Sequence, residues 1–434
     1  MPRVGAPGSK TDSPQPRSGP ITSILEVEAP HAPRPPRRVR ANPERRARRW
    51  RIALAVVCVT ALALVIPAVS LAQAMTAPGN LSPTEKGVEW LRDHGFGGEV
   101  NRVEHWWFTN HQPKTGGTPD RGIGIETPST VGATPSDGGS RDHTSKPADV
   151  PVPDGVSPLP NEGVWQPVGP IIGGSPAMYG TQVRPDSVHT SLLDGLVWMD
   201  PQLLSFGLHP GVREPGGKWT TPAEIPMSER LALVAAFNGG FRMQDANGGF
   251  LLEGQTRKTL RDGAASMVIY KDGTATVGVW GRDVMMGPDV VAVRQNLDLI
   301  VDNGGGATDG SAAPGRPAAG LGDDGDGRWG KTLGNKVLVW RSAVCVDANG
   351  GLVYGYGDGL GALSLAQLML RAGCVRAMEL DINPSWTSFN FYGAGRAGDP
   401  TSVAGTKLLP DQKKSGDRYL STDARDFIAV LGRQ

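Results

Sequence analysis

Over residues 163–434 the hydrophobic positions fall in short runs, rich in Val and Leu and closed off by Gly, Asp or Asn. That is the pattern of a chain of strands. The runs predict strands at Gly195–Met199, Leu231–Phe237, Ser266–Tyr270, Thr274–Trp280, Leu297–Val301, Lys336–Trp340, Ala343–Val346, Leu352–Tyr356 and Val375–Leu380. The Asp-Gly of Tyr270–Thr274 and the Asn-Gly of Asp347–Gly351 predict tight hairpin turns. One stretch has a well-marked helical period. Ser364 to Gln367 reads as a capping box, Leu365, Leu368, Met369 and Ala372 share a face, and Gly373 stands where the helix should stop. A second helix is expected near Ser421–Leu431. The fold class is therefore α+β: a large mixed β-sheet domain with few flanking helices.

Ahead of this domain the pattern changes three times. Ile52–Ala72 is apolar and free of charge, long enough for a single N-terminal transmembrane helix. Pro83 to Trp107 predicts a short helix and then a strand. Residues 111–162 are Gly, Pro, Thr, Ser and Asp with few apolar positions, a composition that buries no core. The expected organisation is a basic, disordered cytoplasmic tail (1–51), an anchor (52–75), a stalk element (76–110), a linker (111–162) and the main domain (163–434). The small-x-small triplet Ala72-Gln73-Ala74 leaves a cleaved secretory signal as the competing reading, with the protein secreted if cut after Ala74.

Charge sharpens this division. Of 44 Lys and Arg and 43 Asp and Glu, 12 and 4 lie in residues 1–51 and none in 52–75, which leaves 32 and 39, a net of −7, for 76–434. The basic residues before the apolar run place the N-terminus in the cytoplasm and the large C-terminal part outside. The acidic balance of that part argues against nucleic acid as a partner. In an oxidising compartment Cys345 and Cys374 either pair as a disulfide or remain two small buried hydrophobes. No Cys/His spacing suggests a metal, and no cofactor is expected.

The candidate chemistry lies at the end of the Val375–Leu380 run. Glu379 and Asp381 are two apart, so on a strand they face the same side. The last 225 residues contain no histidine, which excludes a Ser-His-Asp triad, a Cys-His pair or an H-E-x-x-H zinc site there. Carboxylates, amides, Arg, Lys and Tyr remain, a set suited to an anomeric carbon or a phosphate. The Gly355–Gly361 run matches neither dinucleotide nor P-loop spacing and reads as a hairpin exit into the capped helix. Gly322–Gly327 has calcium-loop composition without its spacing and reads as a solvated loop. At Asn238-Gly239-Gly240 an apolar strand breaks and exposes backbone amides.

Five segments, AAFNGGF, QNLDLIVDNG, the Trp340–Val344 run, VDANGGLVYGYG and LSLAQLMLRAGCVRAMELD, occur over about 230–392 in an order that resembles the phosphodiester glycosidase family. The resemblance implies secretion, a carbohydrate substrate and hydrolysis of a sugar-1-phosphodiester. It gives Asp381 the role of base or electrostatic stabiliser, with Glu379 as second carboxylate and Arg341 as phosphate clamp. Asn238, Gly239, Gly240, Asn383, Ser385 and Trp386 become substrate-binding candidates. Where the family has L-D-G-G-G-S, this chain has Leu380-Asp381-Ile382-Asn383-Pro384-Ser385. The expected function is a membrane-anchored extracytoplasmic glycosidase acting on a glycan phosphodiester. The alternative is a non-catalytic envelope-glycan-binding protein on the same fold.

Overall fold

The computed structural model describes residues 43–127, 143–306, 311–322, 328–330 and 334–433. Most of the basic tail and most of the Gly322–Gly327 loop lie outside the described residues. Contacts divide the chain into Met1–Ile66 and Pro67–Gln434. The described part of the first unit is helical and belongs to α1, Pro43–Thr76, none of whose residues is buried. At 34 residues, with a mean hydropathy of 2.8 over its most apolar stretch, α1 is long and apolar enough to cross a membrane.

In the second unit the strands form three sheets, and every named strand pair is antiparallel. The largest runs in the order Gln166–Ile172, Ser175–Val183, Asp194–Met199, Leu352–Leu360, Val339–Asp347, Cys374–Glu379, Leu299–Asp302, Arg316–Pro317. A second contains Gln255–Lys258, Phe250–Leu252, Val290–Gln295, Ala265–Tyr270 and Ala275–Val279. The third contains Val403–Lys407, Phe389–Ala394, Leu233–Asn238, Phe427–Gly432 and Leu204–His209. The α+β class stands, with the single mixed sheet replaced by three antiparallel ones. One core joins them: Val197 and Met199 from the first, Met267 and Ile269 from the second, and Phe206, Phe237 and Phe391 from the third. The other face of the large sheet is covered by the helix Ala362–Arg371, through Leu365, Leu368 and Met369.

The structure corrects several local expectations. Ser364 is not the cap. The helix begins after Gly361, whose N–H donates to the Ser364 hydroxyl at 2.8 Å, and Gly373 does end it with φ +88°. Residues 421–431 are not a helix. Phe427–Gly432 is a strand between Leu233–Asn238 and Leu204–His209, where its consecutive apolar residues are buried from both sides. The run expected as a strand before Trp107 is helical. Pro83–Leu91 (α2) and Gly97–Asn110 (α3) are separated by a kink at His94 and Gly95, where the backbone leaves helical geometry and Gly95 takes φ +89°. Val100, Val103 and Trp107 have the i, i+3, i+7 spacing of a helix, and Arg92 pairs with Glu104 at 2.5 Å across the kink. The two runs around Trp340 merge into one strand, Val339–Asp347.

The expected linker also touches the domain. Val150 is buried in the core beneath the helix Ala362–Arg371, and its N–H donates to the Gly163 carbonyl at 2.8 Å. Glu162 forms a buried ion pair with Arg184 at 2.7 Å.

Cys345 and Cys374 are joined by a disulfide with a Cα–Cα distance of 5.8 Å. It bridges the neighbouring strands Val339–Asp347 and Cys374–Glu379 in the middle of the large sheet. Closing a loop across 29 residues removes chain entropy worth about 3–4 kcal/mol. Cys345→Ala with Cys374→Ala is expected to lower unfolding free energy by about that amount in denaturant titrations. An unchanged midpoint would show that the bond is dispensable.

Candidate functional site

The strand Cys374–Glu379 is buried along its whole length, so any charge on it must be neutralised locally or delivered to an opening. Glu379 takes the first course. Its carboxylate meets Arg341 at 2.7 Å, and neither side chain has any exposure. Burial pushes the Glu379 carboxyl above its ordinary range, and Arg341 only partly pulls it back. The rest of the Arg341 guanidinium donates to the carbonyls of Leu360 at 2.8 Å and Gly334 at 2.9 Å. A guanidinium so enclosed has no fork left for a substrate phosphate. The expected clamp is a buried ion pair with Glu379, and neither residue lines the cavity that Asp381 reaches.

Asp381 takes the second course. It lies two residues beyond the strand's charged end and lines a cavity of about 730 Å³. Its Oδ1 accepts the N–H groups of Ile382 at 2.8 Å and Asn383 at 3.1 Å. Burial raises its carboxyl to about 7, against the opposing pull of Arg425, the two backbone N–H groups and Arg418.

The turn that follows needs no glycine. None of residues 382–387 has positive φ. The Asn383 side-chain oxygen accepts the Ser385 N–H at 2.9 Å, and its carbonyl accepts the N–H groups of Trp386 and Thr387 at 2.8 and 3.0 Å. The turn closes on itself, and its first two amides belong to Asp381. Side-chain cations stand around the same opening. Arg425 lines the cavity, with its guanidinium 4.5 Å from the Trp386 ring centroid. Lys413 lines it too and donates to the Ser385 hydroxyl at 3.1 Å. Glu89 stands 3.8 Å from Arg425 and 3.6 Å from Arg242, close enough for charge attraction but too far for hydrogen bonds. Arg425 Nη1, Arg242 Nε and Arg242 Nη1 are buried without a hydrogen-bond partner among the described residues.

The structure therefore brings Asp381, Asn383, Ser385 and Trp386 to one cavity and leaves the other candidates out of its lining. Asn238 is buried with its amide fully engaged. It donates to the Gly239 carbonyl and the Ser342 hydroxyl, and accepts from the Tyr354 hydroxyl and the Ser388 N–H. Gly239 and Gly240 are glycines for packing. A Cβ on Gly239 would strike the Asp426 carboxylate, and one on Gly240 would come within 2.9 Å of Asn296 Oδ1. Asp426 is itself the buried partner of Arg294, at 2.7 Å.

Sequence reasoning missed Arg425, Lys413, Arg242 and the whole α2–α3 face of the cavity. The apolar run Phe427–Leu431 was the available signal that Arg425 precedes a strand. Nothing local marked Arg242 or Lys413. Among the described residues no group of three or more His, Cys, Asp or Glu is placed to hold a metal.

No known family's sequence profile matches this chain, and no curated protein matches it. Solved structures give distant likenesses. The catalytic domain of zebrafish N-acetylglucosamine-1-phosphodiester alpha-N-acetylglucosaminidase, auto-inhibited by its pro-peptide, is 14% identical with a TM-score of 0.38, over 60% of this chain and 85% of that one. A hypothetical protein from Synechocystis is 12% identical with a TM-score of 0.30, over 62% and 64%. An exported protein from Burkholderia pseudomallei K96243 is 13% identical with a TM-score of 0.26, over 55% and 74%. These are distant structural resemblances, and the argument for function rests on the residues.

The two carboxylates should answer differently to substitution. Arg341→Ala strands a fully buried Glu379 and is expected to cost about 3–5 kcal/mol of stability. Asp381→Asn keeps an oxygen for the two N–H groups and removes a charge that burial disfavours. A raised folded-state pKa means that stability falls as pH rises from the unfolded value, near 4, through about 7. Asp381→Asn should therefore raise Tm at pH 8 and leave it unchanged at pH 4. Equal shifts at both pH values would contradict the raised pKa.

Proposed function

We propose that this protein is a hydrolase of sugar-1-phosphodiesters, anchored by α1 with its C-terminal part outside the cytoplasm. The observation that carries this reading is a carboxylate poised near neutral pH in a cavity beside an arginine, Arg425, whose Nη1 is buried without a hydrogen-bond partner among the described residues. The ordered resemblance to phosphodiester glycosidases supports it.

The chemistry asks little of a general acid, because the leaving group is a phosphate monoester and already a weak base. Asp381, half ionised near pH 7, takes a proton from water as the water oxygen bonds to the anomeric carbon. The bond from that carbon to the phosphate oxygen breaks. The electron pair leaves with the phosphate, and the proton remains on Asp381 until solvent removes it. Arg425 and Lys413 hold the phosphate's charge, and the unpaired Arg425 Nη1 supplies a donor that Glu89 does not use. Trp386, its face already covered by Arg425, shapes the sugar side rather than stacking freely on it. Asn383 and Ser385 set the turn and orient Lys413.

The test is release of free sugar from sugar-1-phosphodiesters by the full chain. Activity should rise from pH 5 to pH 8 with a midpoint near 7, as Asp381 ionises. Asp381→Asn should abolish turnover while the protein stays folded. Arg425→Gln should lower kcat/KM by roughly ten- to a hundredfold through loss of a charged hydrogen bond. Glycan binding with no turnover would replace the hydrolase by the binding-protein reading. Turnover that survives Asp381→Asn would displace Asp381 as the base.

A further inference from the structure

Two stretches of chain bring the charged groups to the cavity: the turn Asp381–Trp386, and the C-terminal segment that carries Lys413 and Arg425. One buried carboxylate stands between them. Asp423 has no exposure and lines no part of the cavity. Its Oδ1 accepts the backbone N–H of Arg425 at 2.9 Å and Arg418 Nη2 at 3.3 Å. Its Oδ2 accepts Arg418 Nε at 2.7 Å and the Asn80 side-chain amide at 2.7 Å.

Arg418 carries the link onward. Its side chain is almost wholly enclosed. Its remaining nitrogen, Nη1, donates to the Trp386 carbonyl at 2.7 Å and to the Ser388 hydroxyl at 2.9 Å. The route from Arg425 to the turn after Asp381 thus runs from backbone N–H to carboxylate, guanidinium and carbonyl, with every residue on it buried. The Arg425 guanidinium, 4.5 Å from the Trp386 ring centroid, closes the circuit. A buried ion pair is in general no more stabilising than apolar residues of the same volume. Apolar residues would fill this space too, but they would offer the Arg425 N–H and the Trp386 carbonyl nothing to bond. The pair is therefore suited to placement more than to stability.

We propose, building on the phosphodiester reading above, that Asp423 is a positioning residue of this site, acting through Arg418 and through the backbone of Arg425. It touches no substrate. It fixes the main chain of Arg425 against the turn after Asp381, so that the unused Arg425 donor and the Asp381 carboxylate meet one phosphodiester at a set separation. Without Asp423 the Arg425 charge remains, but the main chain that carries it is free to shift, and ordering it again on binding costs affinity.

The test measures binding of inorganic phosphate to the full chain, with turnover of sugar-1-phosphodiesters followed alongside. Asp423→Asn should weaken phosphate binding ~tenfold. In an Arg425→Gln background the same substitution should change the affinity by less than about twofold, because the group it acts through is gone. A purely structural role would instead lower affinity by one factor in both backgrounds. Asp423→Asn also leaves Arg418 buried without its counter-charge, so a second variant separates folding from placement. Asp423→Leu with Arg418→Met replaces the pair by apolar side chains and should keep Tm, yet lose the same ~tenfold in phosphate affinity. Unchanged affinity in either variant, equal losses in both backgrounds, or no phosphate binding by the unsubstituted protein would overturn the positioning role. The expected losses in a protein that turns over no sugar-1-phosphodiester would support the placement of Arg425 and remove hydrolysis.

Discussion

Burial of the strand Cys374–Glu379 is the constraint from which the site follows. A strand enclosed on both faces cannot carry two carboxylates in the same way, because an unpaired buried charge is too costly to keep. Glu379 is held inside by Arg341 at 2.7 Å. Asp381, past the strand's end, is held at the wall of a cavity, where its charge is disfavoured without being matched. Its two backbone N–H groups and the nearby Arg425 lower the cost only in part, and the carboxyl settles near 7. The same desolvation raises both carboxyls, and two residues of separation decide which is paired with Arg341 and which reaches the cavity.

The turn after Asp381 shows how the cavity manages without glycines. A glycine-rich turn would offer backbone amides to a phosphate. Here the amides of Ile382 and Asn383 are drawn back onto Asp381 itself, and the Asn383 carbonyl gathers the next two. The turn thereby becomes rigid and electrostatically closed. The cations at the cavity, Arg425 and Lys413, arrive from the C-terminal part of the chain and stand beside Trp386 and Ser385.

What was legible in the sequence was whatever depended on local pattern. Apolar runs located eight of the eighteen strands among the described residues, and Asp-Gly and Asn-Gly located two hairpins. Gly373 marked a helix end through its backbone conformation alone. Asp381 was singled out as a carboxylate at a strand end in a segment without histidine, and the structure places it at a cavity. The failures share a cause: each turned on a partner far along the chain. Arg341 looked available until Glu379 and three backbone carbonyls enclosed it. Asn238 looked exposed until Tyr354, Ser342 and Ser388 closed on its amide. Residues 421–431 have helix-compatible composition, but a place in the middle of a sheet overrides propensity. Arg242 and Lys413 carried no local mark at all.

The α2–α3 element gives the cavity its remaining walls, and its charges explain why it settles there. Glu85 meets Lys414 at 2.6 Å, and Asp93 meets both Arg213 and Arg242, at 2.5 and 2.6 Å. Glu89 approaches Arg242 and Arg425 without binding either closely. An acidic helical face is thus matched to a basic rim, and Glu89 is a loose contact beside the cavity opening. Were the match complete, Arg425 would have no donor left for a ligand. Because it is incomplete, the element can be fixed in place by Glu85 and Asp93 while the guanidinium nearest Asp381 keeps capacity for an anion. The residues that hold the wall and the arginine with the unused donor are therefore separable, which is what a cavity assembled from two distant stretches of chain requires.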